Sequence, residues 1–147
     1  MEGTVSGQYE EALAAAMTED CDTGRVEQML RAARDHGDSR ATYALATWYL
    51  HGKHFRRNLR MAVGLFREAA RADVPDAIYD LAVCFEEGIG VRMNLQLAAR
   101  LYVRAALLGQ KQAVFEVGRC YYYGIGVGRD TRMGNIWLDR AKTLGID

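Results

Sequence analysis

Several features are scarce in this sequence of 147 residues. It has a single proline, which suits a chain that is mostly helical. No apolar run approaches the roughly 20 residues that a membrane-spanning helix needs. The first residues also lack the basic segment followed by an apolar one that marks a secretory signal. We therefore expect a cytoplasmic protein without a membrane span.

Charge of one sign is not in excess either. Nineteen basic and nineteen acidic side chains cancel, which argues against a nucleic-acid partner or a generalised membrane surface. Only three of the basic residues are lysine, and this excess of arginine hints at a GC-rich, bacterial genome. The charge balance therefore gives no support to a nucleic-acid or membrane partner.

The residues that usually carry catalysis or bind metals are few and dispersed. The three histidines are His36, His51 and His54, and no cluster of cysteine or carboxylate at metal-ligand spacing stands beside them. The adjacent Glu86 and Glu87 would point to different faces of a helix, so they do not form a catalytic pair. We expect a protein that is not an enzyme and needs no metal or other cofactor.

What the sequence does contain is a pattern that recurs every 36 residues. Its first half combines small, aliphatic and aromatic residues and ends in glycine; the matching sets are Ala41, Ala77 and Ala113; Leu45, Leu81 and Val117; and Gly52, Gly88 and Gly124. Its second half begins after a capping residue and places apolar residues on one face; the matching sets are Asn58, Asn94 and Asp130; Met61, Leu97 and Met133; Leu65, Leu101 and Trp137; and Phe66, Tyr102 and Leu138.

Each half has the spacing of a helix. In the central copy, Ala77, Leu81 and Phe85 are four residues apart, which matches a period of 3.6 residues and not the alternation of a strand. The Gly-Ile-Gly-Val turn supplies residues for positive φ after the first helix, and Asn94 is a good N-cap for the second. Each copy is therefore predicted to be a helical hairpin, which buries its apolar face by stacking on the next.

The pattern A-x-x-x-L-A-x-x-Y/F-x-x-G-x-G-V, followed by N/D and A-x-x-L/W-x-x-x-A-A-x-x-G, resembles the Sel-1-like repeat, a relative of the tetratricopeptide repeat. The resemblance implies an all-α fold, an α/α solenoid of stacked hairpins with about eight helices. It also implies a non-catalytic scaffold for protein–protein interaction, whereas a hydrolase-type enzyme is the less favoured reading. The first copy departs from the pattern, with Gly-Lys-His-Phe at residues 52–55.

The repeat divides the chain into four parts. Residues 41–76, 77–112 and 113–147 are predicted to be three repeats. Residues 1–40 are predicted to form a degenerate capping hairpin, because shifting by 36 residues places Asp22 on Asn58 and Leu30 on Phe66. Residues 1–40 contain nine acidic and four basic side chains, which fits a solvated cap. Alternatively, this acidic part contacts the more basic residues that follow it.

The three cysteines are predicted to be unpaired. Cys84 and Cys120 share one repeat position, so they lie on successive first helices. Packed helix axes are about 8–10 Å apart, beyond the reach of a disulfide. We expect both thiols to fill the core, and three unpaired thiols, Cys21 included, suit a reducing compartment.

The principal partner-binding surface is expected on the first helices, which line the concave groove in solenoids of the family that the chain resembles. The predicted groove positions combine aromatic residues with arginines, as binding interfaces do; they are Arg40, Tyr43, Thr47, Tyr79, Val83, Glu86, Phe115, Arg119, Tyr122 and Tyr123. We expect arginines to bind carboxylates and tyrosines to bind apolar side chains of a peptide. Alternatively, Tyr43, Tyr79 and Phe115 pack between hairpins.

Two further surfaces are candidates. A dense basic loop could meet an acidic partner, or could simply be solvated; its basic residues are Lys53, Arg56, Arg57 and Arg60. The last repeat has no following repeat in this sequence, so part of its apolar surface could mediate self-association; the residues concerned are Trp137, Leu138 and Leu144. A homo-oligomeric assembly subunit is therefore the alternative to a peptide-binding scaffold.

Overall fold

The computed structural model describes residues 5–18, 22–52 and 55–147, and of residues 5 and 6 the backbone alone. The described residues form eight α-helices and no strand, as the sequence predicts for an all-α solenoid-class fold. The helices are α1 (Val5–Ala16), α2 (Thr23–Asp35), α3 (Ser39–His51), α4 (Leu59–Arg71), α5 (Pro75–Glu87), α6 (Leu95–Leu107), α7 (Lys111–Tyr123) and α8 (Thr131–Thr143).

The second helix of each repeat begins at the predicted cap. The side chains of Asn58, Asn94 and Asp130 each accept a hydrogen bond from the backbone N–H three residues further on, at 3.0 Å. Each cap satisfies a donor that the first turn of a helix leaves without a partner. Asp22 caps α2 in the same way, although its hydrogen bond from Arg25 is longer, at 3.2 Å.

The glycines of the turn are required by backbone geometry. Gly124 ends α7 in the left-handed conformation, with φ of 72°, and Gly126 follows with φ of 70°. A Cβ on Gly126 would lie 2.0 Å from the carbonyl oxygen of Leu95, at the start of α6. The second glycine of the third copy therefore allows the turn to lie directly against the preceding hairpin.

The chain divides into two compact units, residues 1–74 and 75–147. In the first unit, the helices pair as α1 with α2 and α3 with α4, and α2 also packs on α3. Its core consists largely of fully buried apolar side chains, including Val26, Leu30, Leu45 and Phe66. Burying each of the larger ones stabilises the fold by about 1.5–3 kcal/mol.

The second unit pairs α5 with α6 and α7 with α8, and α6 packs on α7. Its largest fully buried side chains include Ile78, Tyr102 and Val117. The two helices of the last hairpin approach closely at two glycines: a Cβ on Gly118 would lie 2.7 Å from the side chain of Leu138, and one on Gly134 would meet the backbone of Tyr122. Small residues at these positions therefore set the separation of α7 and α8.

The first turn of the second helices is less buried than the pattern predicts. Met61 and Met133 belong to the apolar face by their spacing, yet 42% and 39% of each is exposed. Each is the third helical residue, whose backbone N–H donates to the side chain of the helix cap. The buried face thus begins at the fourth helical residue, which is Ala62 in α4 and Gly134 in α8.

Candidate interaction surface on the first helices

In the second unit, the predicted groove residues Glu86 and Arg119 form one polar network. The guanidinium of Arg119 donates through Nη2 to Glu86 at 2.5 Å and through Nε to Glu116 at 2.6 Å. The hydroxyl of the buried Tyr102 donates to the other oxygen of Glu86 at 2.6 Å. Arg119 therefore links α7 to α5, and Glu86 links α5 to α6.

A second polar contact joins the same helices near their other ends. The side-chain amide of Gln110 donates to Asp76 at 3.3 Å, and its oxygen caps α7 by accepting from the N–H of Ala113 at 2.7 Å. Side-chain hydrogen bonds thus fix α5 against α7 at both ends. We call the side of these two linked helices that carries the predicted groove residues the α5–α7 surface.

Burial and charge shift the pKa values of this network. Burial alone would lower the pKa of Arg119, but its hydrogen bonds to Glu86 and Glu116 hold the pKa above its ordinary value. Burial, followed by the hydrogen bond to Glu86, raises the pKa of Tyr102 far above 10.0. Burial and the nearby carboxylates of Glu116 and Asp80 also raise the pKa of Tyr79. These groups therefore keep one charge state across the physiological range.

The aromatic residues of the α5–α7 surface differ in exposure. The ring of Tyr79 packs on Tyr102 of its own hairpin, with centroids 5.7 Å apart, and is half-buried. Tyr122 and Tyr123 meet edge to face at 4.9 Å, and 68% of Tyr123 is exposed. Val83 and Phe115 are half-buried, as Tyr79 is. The surface thus offers an exposed aromatic end beside α7's C-terminus.

In the first unit, the three predicted groove residues lie on α3, and each has partners within this unit. Arg40 donates to Asp38 at 2.8 Å and to Glu10 at 3.0 Å, and its guanidinium lies 4.5 Å from the ring centroid of Tyr9. The ring of Tyr43 packs against Phe66 of α4 at 6.0 Å. The hydroxyl of Thr47 donates to the backbone carbonyl of Tyr43. Arg40 is therefore already paired with carboxylates.

The basic loop carries exposed arginines around a half-buried aromatic contact. Arg56, Arg57 and Arg60 are exposed, whereas Lys53 lies outside the described residues. Phe55 packs on the rings of Trp48 and Tyr49 at about 5 Å. A cleft of about 620 Å³ opens between the loop and the start of α2, lined by Arg56 and Arg57 among others, and a second of about 430 Å³ includes Arg60.

The face predicted for self-association is partly used inside the last hairpin. Leu138 contacts α7 at Gly118, and Trp137, Leu138 and Leu144 are all half-buried. Leu101 and Tyr102, at the positions of Trp137 and Leu138 in the preceding repeat, are buried. The largest apolar exposure on α8 belongs instead to Ile136, of which 58% is exposed.

Cys84 and Cys120 are buried free thiols, as predicted. Burial raises the pKa of each to about 11, so both stay protonated near neutrality. Cys21 lies outside the described residues. Within the described part of the chain, no three His, Cys, Asp or Glu side chains converge as a metal site would require. Likewise, no described helix combines the length and apolar character that crossing a bilayer requires.

Two members of the polar network, Glu116 and Tyr102, were not among the sequence-predicted site residues. Glu116 precedes Arg119 by three residues, and that spacing on one helix is a signal for an ion pair. Tyr102 was assigned to the core, which is where its ring lies. The sequence carries no signal that its hydroxyl reaches Glu86, since the two residues belong to different helices.

These features define the class of the protein: an all-α protein built of repeated helical hairpins. The Sel1 repeat model matches three successive segments, residues 39–74, 75–110 and 111–146, and the chain belongs to the Sel1 repeat family. This family typically provides scaffolds for protein interaction and is generally non-catalytic. No protein of curated function matches the sequence significantly.

Solved structures support the same fold. A protective antigen of uropathogenic Escherichia coli strains, which displays an SLR fold, superposes with a TM-score of 0.93 at 26% identity, covering 97% of this chain and 31% of the antigen. A Sel1 repeat protein from Oxalobacter formigenes gives 0.88 at 23%, covering 97% and 59%. An immunity protein from Pseudomonas aeruginosa gives 0.66 at 25%, covering 99% and 55%. The chain thus spans less than two thirds of the length of each.

Proposed function

We propose that this protein is a non-catalytic scaffold that binds a peptide or protein segment on the first helices of its repeats. The predicted repeats 77–112 and 113–147 contain most of α5 and α7, whose surface is the proposed binding site, and residues 1–40 are proposed to serve as a capping hairpin. The observation that carries the proposal is the exposed aromatic end of the α5–α7 surface, where 68% of Tyr123 is open beside Tyr122.

The chemistry of this surface fits binding better than catalysis. Interfaces concentrate their binding energy in a few aromatic and arginine side chains held in a rigid setting. Here the side-chain bonds of Arg119 and Gln110 hold α5 against α7, so a bound segment would meet a surface that is already ordered. The nucleophiles nearest to it, Cys84 and Cys120, are buried and protonated, which disfavours a hydrolase-type reaction.

The proposal is tested by selecting phage-displayed random linear peptides on the full chain and measuring their affinity by fluorescence anisotropy. We expect Phe115→Ala/Tyr123→Ala to lower the affinity for the selected peptides about tenfold or more, because it removes a binding hot spot. Leu107→Ala is the matched control, because Leu107 is 74% exposed but lies on α6, a second helix. The proposal would be contradicted if the double variant bound the selected peptides as tightly as the unchanged chain. It would also be contradicted if the control variant lost the same affinity.

A second candidate function is a homo-oligomeric assembly subunit that uses the last repeat. Leu101 and Tyr102 are buried, whereas Trp137 and Leu138, at the same positions of the last repeat, are only half-buried. This difference favours an additional contact on α8. Light scattering across a range of concentrations tests it. Self-association that Ile136→Lys abolishes would support this candidate, and a strict monomer at all concentrations would eliminate it.

A further inference from the structure

The two kinds of helix in the second unit carry opposite charge. The first helix α5 has four carboxylates and no basic side chain, and α7 has Lys111 and Arg119 against Glu116, so together they are three charges negative. The second helices are positive: α6 has Arg100 and Arg104 without an acid, and α8 has three basic side chains against Asp139. A partner on the α5–α7 surface therefore meets a negative field.

The one arginine on this surface does not reverse that field. Arg119 is bonded to both Glu86 and Glu116, with N to O distances of 2.5 and 2.6 Å. The guanidinium already has two carboxylate partners, and these three groups together carry one net negative charge. A carboxylate on a partner would have to displace one of these short bonds, at the cost of exposing Glu86 or Glu116 unpaired.

The exposed ring of Tyr123 fits the same partner chemistry. Tyr123 stands open at the end of α7, with Tyr122 against its edge. A guanidinium or ammonium group placed over a tyrosine face is attracted by the negative face of the ring. At the same end of α5, Glu87 is exposed and Glu86 is half-buried. An open aromatic ring near the end of α7 and an exposed carboxylate at the end of α5 suit side chains that carry both an aliphatic stem and a positive charge.

We propose that the α5–α7 surface selects a basic peptide segment, one that alternates arginine or lysine with apolar residues. This inference rests on the proposed function, since it names the partner chemistry of the same surface. It reverses the charge expected from the sequence, where Arg119 was predicted to bind partner carboxylates.

The test uses two synthetic peptides of equal length on the full chain, one alternating arginine with leucine and one alternating glutamate with leucine. We expect the arginine peptide to bind at least about tenfold more tightly. Raising the ionic strength from about 0.1 M to about 1 M shortens the Debye length from about 10 Å to about 3 Å and should weaken this binding strongly. The Glu87→Lys variant should bind the arginine peptide about fivefold more weakly.

Asp139→Lys is the matched control, because it makes the same change of charge at an exposed position on α8. It should leave the affinity for the arginine peptide nearly unchanged. Equal loss in both variants would mean that general charge attraction, and not this surface, binds the peptide, and would overturn the inference.

The peptides selected by phage display separate this inference from the proposed function. Basic peptides that respond to Phe115→Ala/Tyr123→Ala support both. Acidic or neutral peptides that respond to the same variant overturn the charge preference and leave the scaffold function standing. Peptides that do not respond to it overturn both.

Discussion

Arg119 and Glu86 are 33 residues apart in sequence, yet their charged groups meet at 2.5 Å and join two successive first helices. The side chains are 28% and 18% exposed, so water screens the pair only in part. Glu116 and Tyr102 complete the contact from α7 and α6. This network is both a structural link between repeats and the centre of the candidate binding surface.

Removing the guanidinium should destabilise the second unit. Arg119→Met leaves Glu86 and Glu116 close together without a counter-charge, and we expect a loss of about 1–3 kcal/mol in the free energy of unfolding. Urea denaturation of this variant, of Glu86→Gln and of the double variant gives the coupling energy between the two positions. A coupling energy near zero would contradict the contact.

The hydroxyl of Tyr102 should contribute measurably to stability. Tyr102 is buried, and Tyr102→Phe removes its hydrogen bond to the charged Glu86 while keeping the ring, which should cost about 1.5–3 kcal/mol. Tyr123→Phe is the control, because its side chain is largely exposed, and it should change the free energy of unfolding by less than about 0.5 kcal/mol. Equal effects in thermal unfolding would argue against the hydrogen bond.

Two helical glycines should respond oppositely to alanine. Gly118→Ala places a Cβ 2.7 Å from Cγ of Leu138 and 2.9 Å from its backbone nitrogen, so the hairpin must open and we expect a loss of about 1–3 kcal/mol.

Gly64→Ala is the counterpart on α4, where a Cβ would meet nothing within 4 Å. Alanine there should stabilise the protein by about 0.5–1 kcal/mol, because it favours the helix over the unfolded chain. Circular dichroism during urea denaturation measures both changes. Stabilisation by Gly118→Ala would show that α7 and α8 are not in close contact at this point.

The buried thiols should make stability fall at alkaline pH. The folded pKa of Cys84 and Cys120 is about 11 against an ordinary 9.0, so above pH 9 the unfolded chain loses protons that the folded protein retains. The free energy of unfolding should therefore decrease between pH 9 and 11, by about 2–3 kcal/mol for each thiol at the upper limit. Below about pH 8, where the folded and the unfolded chain both keep these thiols protonated, the thiols should add almost no pH dependence.

The double variant Cys84→Ala/Cys120→Ala provides the comparison for that prediction. It will be less stable near neutral pH because it leaves space in the core, but its stability should depend less on pH between pH 9 and 11. The same slope in both proteins would contradict burial as the cause of the shift.

The structural features that the sequence predicted correctly depend on short stretches of chain or on the repeat. The helix starts at Asn58, Asn94 and Asp130 were predictable, because capping is decided within four residues of chain. The core positions of Cys84 and Cys120 were predictable as well, since the 36-residue period assigns both to one place in the repeat. Arg119 as a binding residue remains a prediction, and its two carboxylate partners change the ligand that we expect there.

The sequence by itself determines the repeat, its helices, its turns and the family to which the chain belongs, because each follows from spacing within one 36-residue copy. Only the tertiary structure decides which charges remain available. Whether Arg119 meets Glu86, and whether Leu138 rests on Gly118, depends on how whole helices pack, and packing joins side chains from different helices. For that reason the sequence predicts where a partner could bind, whereas the packed helices indicate the charge that partner should carry.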